Sequence, residues 1–201
     1  MAFLREKQTF DTRGLMLSAM FTALIAAGAF IKIPMSAVPN TMQFLFTTLA
    51  GLLLGRRLGL LSVAAYILIG LVGLPVFALG GGIGYVLQPT FGYIIGFAAG
   101  TWLAGLIAER AGKRLFVSLL FAGLINMLLV YAIGIVYYYL ISKYYLGTPA
   151  AAKTLLISCF ALTAPGDVVW CVVAALLAKR LRPVLNSPYI RVRRQNAAKS
   201  D

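Results

Sequence analysis

The sequence predicts an all-α membrane protein with six transmembrane helices and both termini on the cytoplasmic side. Three observations carry this. First, 61% of the 201 residues are hydrophobic and only 11% are charged, against about 25% in soluble domains. Second, the charges cluster between long uncharged runs that suit helices crossing a ~30 Å apolar core. Third, the cations sort by side. With six crossings, one side carries Arg5, Lys7, Arg13, Arg56, Arg57, Arg110, Lys113, Arg114 and seven more from Lys179 to Lys199, fifteen in all. The other carries only Lys32, Lys143 and Lys153. An excess of Lys and Arg marks the cytoplasmic side. It also accounts for the net charge of +13 without nucleic acid, since a basic tail lies readily against anionic lipid.

Residues 1–13 read as a cytoplasmic N-terminal tail, residues 14–182 as the transmembrane domain, and residues 183–201 as a basic cytoplasmic C-terminal tail. Gly14 to Ile31 is uncharged for 18 residues, enough for the first crossing. Within it Ala19, Ala23 and Ala27 recur every fourth residue, so they line one face as a shallow groove that another helix can enter closely. Packing within the chain and contact with a partner explain the groove equally well. Pro34 and Pro39 break the next stretch. Ile33 to Gly55 is then uncharged, extended at first, with Gln43 near the start of the second helix.

Leu58 to Ala108 has no charge in 51 positions and must hold two crossings. The break falls at Gly70 to Gly92, where Gly80-Gly81-Gly82-Ile83-Gly84-Tyr85 cannot sustain a helix. No Lys-Ser or Lys-Thr follows these glycines, so a phosphate-binding loop is excluded. An uncharged loop folded back over a cavity fits better, because irregular backbone at membrane depth needs shelter from protein. Gly92, Gly96 and Gly100 give the following helix a small-residue face. Leu115 to Ser142 is uncharged for 28 residues. Asn126 lies near its middle as a bond to another helix, and Tyr137, Tyr138, Tyr139, Tyr144 and Tyr145 read as an interfacial belt. Thr154 to Ala178 is the last apolar region.

That region contains Asp167, the one carboxylate within the apolar runs. A carboxylate in lipid is expensive and normally faces a cavity or partner. Counting back from Lys179 places it roughly 18 Å along the helix, in the outer third of a ~30 Å core. The plain alternative is an aspartate in an outer loop. The chain contains no histidine, which removes Ser/His hydrolysis and most metal sites. Cys159 and Cys171 read as packing residues. No metal site, cofactor or enzymatic activity is expected, and no Walker sequence supplies ATP hydrolysis. A capture subunit for a small molecule, driven by a partner, fits these features. A membrane scaffold without a ligand is the alternative.

Five segments sharpen this reading: Val38-Pro39-Asn40-Thr41-Met42-Gln43, Leu49-Ala50-Gly51-Leu52-Leu53-Leu54-Gly55, Gly73-Leu74-Pro75-Val76-Phe77-Ala78, Pro89-Thr90-Phe91-Gly92-Tyr93 and Pro165-Gly166-Asp167. In this order they resemble the BioY family, the substrate-binding (S) components of energy-coupling-factor (ECF) biotin transporters. The resemblance implies a multi-pass protein of the prokaryotic plasma membrane, with six helices and an outward pocket capped by the first outer loop. It implies association with a T subunit and two ATPases that use the ATP, and it makes Ala19, Ala23 and Ala27 the T-subunit contact. Biotin captured from outside would give its ureido N–H groups to Asp167. Phe77, Tyr85, Tyr93 and Trp170 would pack its rings and Gln43 would contribute from the lid. Trp170 stands where the family motif has lysine, which leaves a biotin-related ligand as an alternative.

Overall fold

The computed structural model describes residues 12–33, 40–112, 115–147 and 163–185. Five helices account for most of them: α1 (Thr12–Phe30), α2 (Gln43–Leu71), α3 (Phe91–Glu109), α4 (Leu115–Tyr144) and α5 (Ala164–Leu185). The other regular elements are a two-residue antiparallel pairing of β1 (Lys32–Ile33) with β2 (Asn40–Thr41) and a short 3-10 helix at Ile83–Leu87. The protein is otherwise all-helical. Pro34, Pro39, Lys153, Cys159 and most of both predicted tails lie outside the described residues.

α2 is two helical segments folded against each other at Gly55, whose φ of 80° and ψ of −177° interrupt the helix. Only glycine adopts that φ at no steric cost. The reversal brings Gln43 Nε2 to 2.6 Å from Tyr66 Oη, whereas 23 residues of straight helix would separate them by roughly 34 Å. Between Gln43 and Leu54, only Phe46 and Leu53 are less than fully buried, because α1, α3, α4 and α5 all pack on α2. Glycines make the junction tight. A Cβ on Gly59 would lie 3.0 Å from Gly51 Cα, and one on Gly105 of α3 would lie 2.5 Å from the Arg56 amide nitrogen.

Among the described residues, four helices, α1 to α4, are long and apolar enough to cross a membrane, rather than the six predicted. One shortfall arises at Gly55, where two segments form a single element. The other is α5, whose composition is diluted by Asp167, Lys179, Arg180 and Arg182. α5 also begins at Ala164, with the described part of the predicted Thr154–Ala178 run starting only at Thr163. The large exposed apolar residues, Met16, Val117, Phe121, Leu128, Val136 and Val169 among them, give the outer faces a surface suited to lipid.

Polar side chains join the helices. Ser18 and Thr22 of α1 meet Ser62, with the two serine hydroxyls 2.9 Å apart and Thr22 donating to the Ser62 carbonyl at 2.9 Å. Asn126 serves as the predicted bond between helices, donating to Thr48 Oγ1 at 2.8 Å. Its helix is also reached by the glycine face of α3, where a Cβ on Gly96 would come within 2.9 Å of Val130 Cα. Tyr144 and Tyr145 are exposed as a belt requires, but Tyr137 is an anchor, donating to the Val86 carbonyl at 2.5 Å. Cys171 is buried with a free thiol among packed side chains.

The ends of the bundle differ in charge. The starts of α2, α3 and α5 share one end with the tips of α1 and α4, where the described cations are Lys32 and Lys143. Arg13, Arg56, Arg57, Arg110, Lys179, Arg180 and Arg182 lie at the opposite end. There Glu109 accepts from the Arg56 amide at 2.8 Å. Arg182 donates from Nε to the Leu52 carbonyl at 2.9 Å and from Nη2 to the Ala108 carbonyl at 3.0 Å. Both carbonyls belong to helix C-termini, which lack intrahelical donors. Arg182→Met is expected to reduce stability in detergent by about 2–4 kcal/mol, the scale of two charge-assisted bonds, although the Ala108 carbonyl keeps the Ala111 amide at 3.2 Å. A thermal melt with no shift would refute that role.

Candidate functional site

A cavity enclosing roughly 620 Å³ of empty space, part of it open to solvent, lies at the end of the bundle with few cations. Its wall is mainly apolar. Phe44 comes from α2, Ile94 and Phe97 from α3, and Val130 from α4. The polar groups are Thr41, Gln43, Tyr85, Thr90, Tyr93, Tyr131, Thr163 and Asp167, and Ala78 completes the lining from the glycine-rich segment.

Asp167 sits in the first turn of α5, with Pro165 two residues earlier. Proline is tolerated in a first turn, where its missing N–H would have no intrahelical acceptor, and a carboxylate there meets the positive end of the helix dipole. The residue is 6% exposed. Tyr131 Oη donates to Asp167 Oδ2 at 2.5 Å and lies 2.6 Å from Thr163 Oγ1. Tyrosine has one O–H, already given to the aspartate, so Thr163 donates to Tyr131. Asp167 Oδ1 accepts no hydrogen bond from any described residue. The arrangement holds one carboxylate oxygen in place and leaves the other, buried, without a donor among the described residues.

Gln43 also reaches the lining, but its amide is held. Thr41 Oγ1 donates to Gln43 Oε1 at 3.2 Å, and Gln43 Nε2 donates to Tyr66 Oη. Tyr66 in turn donates to the Val76 carbonyl at 3.2 Å, linking the pocket to the loop after α2. One Nε2 hydrogen is left for a further acceptor. Tyr93 meets Tyr131 edge to face, with ring centroids 6.1 Å apart at 89°. Tyr85 holds the 3-10 helix over the cavity.

Four of the six predicted substrate-binding residues, Asp167, Gln43, Tyr85 and Tyr93, therefore line one cavity. Phe77 and Trp170 do not. Phe77 is buried behind the wall, 5.4 Å from the Tyr66 ring and 4.6 Å from the Tyr85 ring, over Gly70. A Cβ on Gly70 would fall 2.2 Å from Phe77 Cζ, so the missing side chain there makes the space for the ring. Trp170, three residues beyond Asp167 and so on a neighbouring part of the same helix face, does not line the cavity but packs, half-buried, between the aromatic and aliphatic cores. The predicted groove residues Ala19, Ala23 and Ala27 are all exposed on α1, away from the cavity.

Sequence reasoning missed Tyr131 and Thr163. Tyr131 carries a polar tip in the middle of an otherwise apolar helix, the same signal that marked Asn126 four residues and one further back. Thr163 precedes the proline that opens α5.

The model of the BioY family matches residues 5–187. A probable biotin transporter BioY from Lysinibacillus sphaericus is 43% identical over 177 residues, covering 88% of this chain and 90% of that protein. The biotin transporter BioY of Thermotoga maritima is 38% identical over 171 residues, covering 85% and 96%. A crystal structure of the S-component for biotin from an ECF-type ABC transporter superposes with a TM-score of 0.73 at 28% identity, covering 85% of this chain and 91% of that one.

Proposed function

The chain belongs to the BioY family, and on that premise we propose that it is the biotin-binding subunit of an uptake transporter. It is a multi-pass protein of the prokaryotic plasma membrane. The observation that carries the ligand assignment is the half-satisfied Asp167 carboxylate in the lining of an otherwise mainly apolar cavity. Biotin's ureido ring carries N–H donors, and a carboxylate accepts them more strongly than a neutral acceptor does. Tyr93 and Tyr85 would contact the rings of the ligand, and Gln43 would offer its remaining N–H to the ureido oxygen. Phe77 and Trp170 act from behind, holding the wall.

Six crossings follow if the two segments of α2 and the charged α5 each count as one. The fold-over at Gly55 and the alternation of helix directions support this count. The cation-rich end then faces the cytoplasm, with both termini, and the cavity opens outward. Transport requires a T subunit and two ATPases, since no sequence here supplies ATP hydrolysis. Isothermal calorimetry on the purified protein is expected to find saturable biotin binding with one site per chain. No heat of binding at any temperature, together with no thermal stabilisation by biotin, would overturn the reading.

The exposed face of Ala19, Ala23 and Ala27 is the contact with the T subunit. Ala23→Trp is expected to leave biotin binding unchanged while reducing co-purified ATPase module roughly tenfold or more, as overpacking an interface costs about 1–3 kcal/mol. Undiminished recovery of the ATPases would move that contact elsewhere.

A further inference from the structure

Biotin has two chemically distinct ends, a neutral ureido ring and an aliphatic tail that terminates in a carboxylate. The reading above gives the ring to Asp167. Like charges repel, strongly so where water is excluded, so the acid must point away from Asp167 and leave by the rim. The residues that line the cavity include no lysine or arginine. Among the described residues, a cation for the tail can come only from the edge.

Lys32 stands there. Its backbone pairs with Thr41, which lines the cavity. Its ammonium donates to the carbonyl of Ala78, which lines the cavity from the glycine-rich segment. The side chain thus joins the β1–β2 pairing to the glycine-rich segment while remaining exposed. It forms no ion pair with any described carboxylate. Lys143, the other described cation at this end, is placed differently. Its ammonium lies 5.8 and 5.2 Å from the ring centroids of Tyr139 and Tyr144, neither of which lines the cavity.

We infer that Lys32 is a specificity determinant that binds the carboxylate of the substrate tail at the rim. This rests on the assignment of biotin above. An ammonium has three donors, so Lys32 can hold the Ala78 carbonyl and the ligand acid together. A ligand whose tail is neutral receives the ring contacts but not this one.

Calorimetric titration of biotin and of biotin amide, whose tail carries no charge, tests this in the full-length protein and its Lys32→Gln and Lys32→Arg variants. The wild type is expected to bind biotin about fivefold to tenfold more tightly than the amide, the range for a partly exposed charge-assisted contact. Lys32→Gln should lose that preference by weakening biotin alone, and Lys32→Arg should keep most of it. Equal weakening of both ligands would mean that Lys32 only supports Ala78, and would overturn the inference. A wild type that binds the two ligands equally would overturn it as well, leaving the biotin assignment intact. A wild type that binds neither would instead overturn the assignment, and the inference with it.

Discussion

Asp167→Asn is expected to weaken biotin binding by roughly a hundredfold, a loss of about 3 kcal/mol. The substitution keeps the size of the side chain and an oxygen for the Tyr131 bond. What it changes is the oxygen that has no donor among the described residues. Asn must present an NH₂ group there if its carbonyl serves Tyr131, and a donor then opposes the ureido donors. If the amide flips to face the ligand with its oxygen, the NH₂ group meets Tyr131 Oη, which loses its acceptor. Either way one buried polar contact is broken, and the negative charge is gone from the other. Tyr131→Phe separates the two contributions. It removes the bond that orients Asp167, along with the Thr163 contact to the same hydroxyl, while keeping the carboxylate, and a loss nearer tenfold is expected. Calorimetry on both variants, with intact folding verified by a thermal melt, reads the result. Unchanged biotin affinity in Asp167→Asn would remove the carboxylate from the site.

Gly105→Leu is expected to reduce stability by about 2–3 kcal/mol and to lower the yield of monodisperse protein. Helix propensity alone argues the other way, since replacing a helical glycine gains up to about 1 kcal/mol. The contact decides. The first carbon of any side chain at this place would press on the backbone of Gly55 and Arg56, at 2.6 and 2.5 Å, and backbone cannot swing aside as a rotamer does. Overpacking of this kind costs about 1–3 kcal/mol, and a leucine has the longer reach. Gly105→Ala should fall between, its propensity gain offsetting part of the clash. An unfolding midpoint for Gly105→Leu equal to that of wild type would mean that α3 does not dock on the turn this closely.

How far the sequence reaches depends on what each residue signals. Asp167 was legible because a charge in an apolar run has few explanations. Gln43 and Tyr93 were legible through the segments that carry the family resemblance, and Tyr85 through the glycine run read as a loop over a cavity. Phe77 and Trp170 carried the same aromatic signal, but an aromatic ring fills a core as readily as it packs a ligand. What separates the two cases is the empty side of Gly70 and the angle of α5, which are tertiary facts. Tyr131 was hidden for a related reason. Its hydroxyl matters only because α4 and α5 come together at Thr163 and Asp167, and neither helix announces its neighbour. The fold shows the same division. The uncharged runs marked where helices lie, and Gly55-Arg56-Arg57 marked an end. That one glycine replaces a whole loop there is a matter of its φ angle and of the glycines opposite.

The first half of α2 has a consequence for where a ligand can sit in a bilayer. From Gln43 to Leu54 it is roughly 18 Å long at 1.5 Å per residue, against an apolar thickness of ~30 Å. Facing lipid, a rod so short would force the bilayer to thin around it. It is encircled by protein instead, so no lipid registers the deficit. The missing depth, roughly 12 Å, becomes usable space inside the ring of longer helices. Gln43 and Phe44, at the top of this truncated column, face that space. The column is a pedestal, and its shortness is what lets a water-soluble vitamin rest below the plane of the headgroups without any helix of the outer wall having to part.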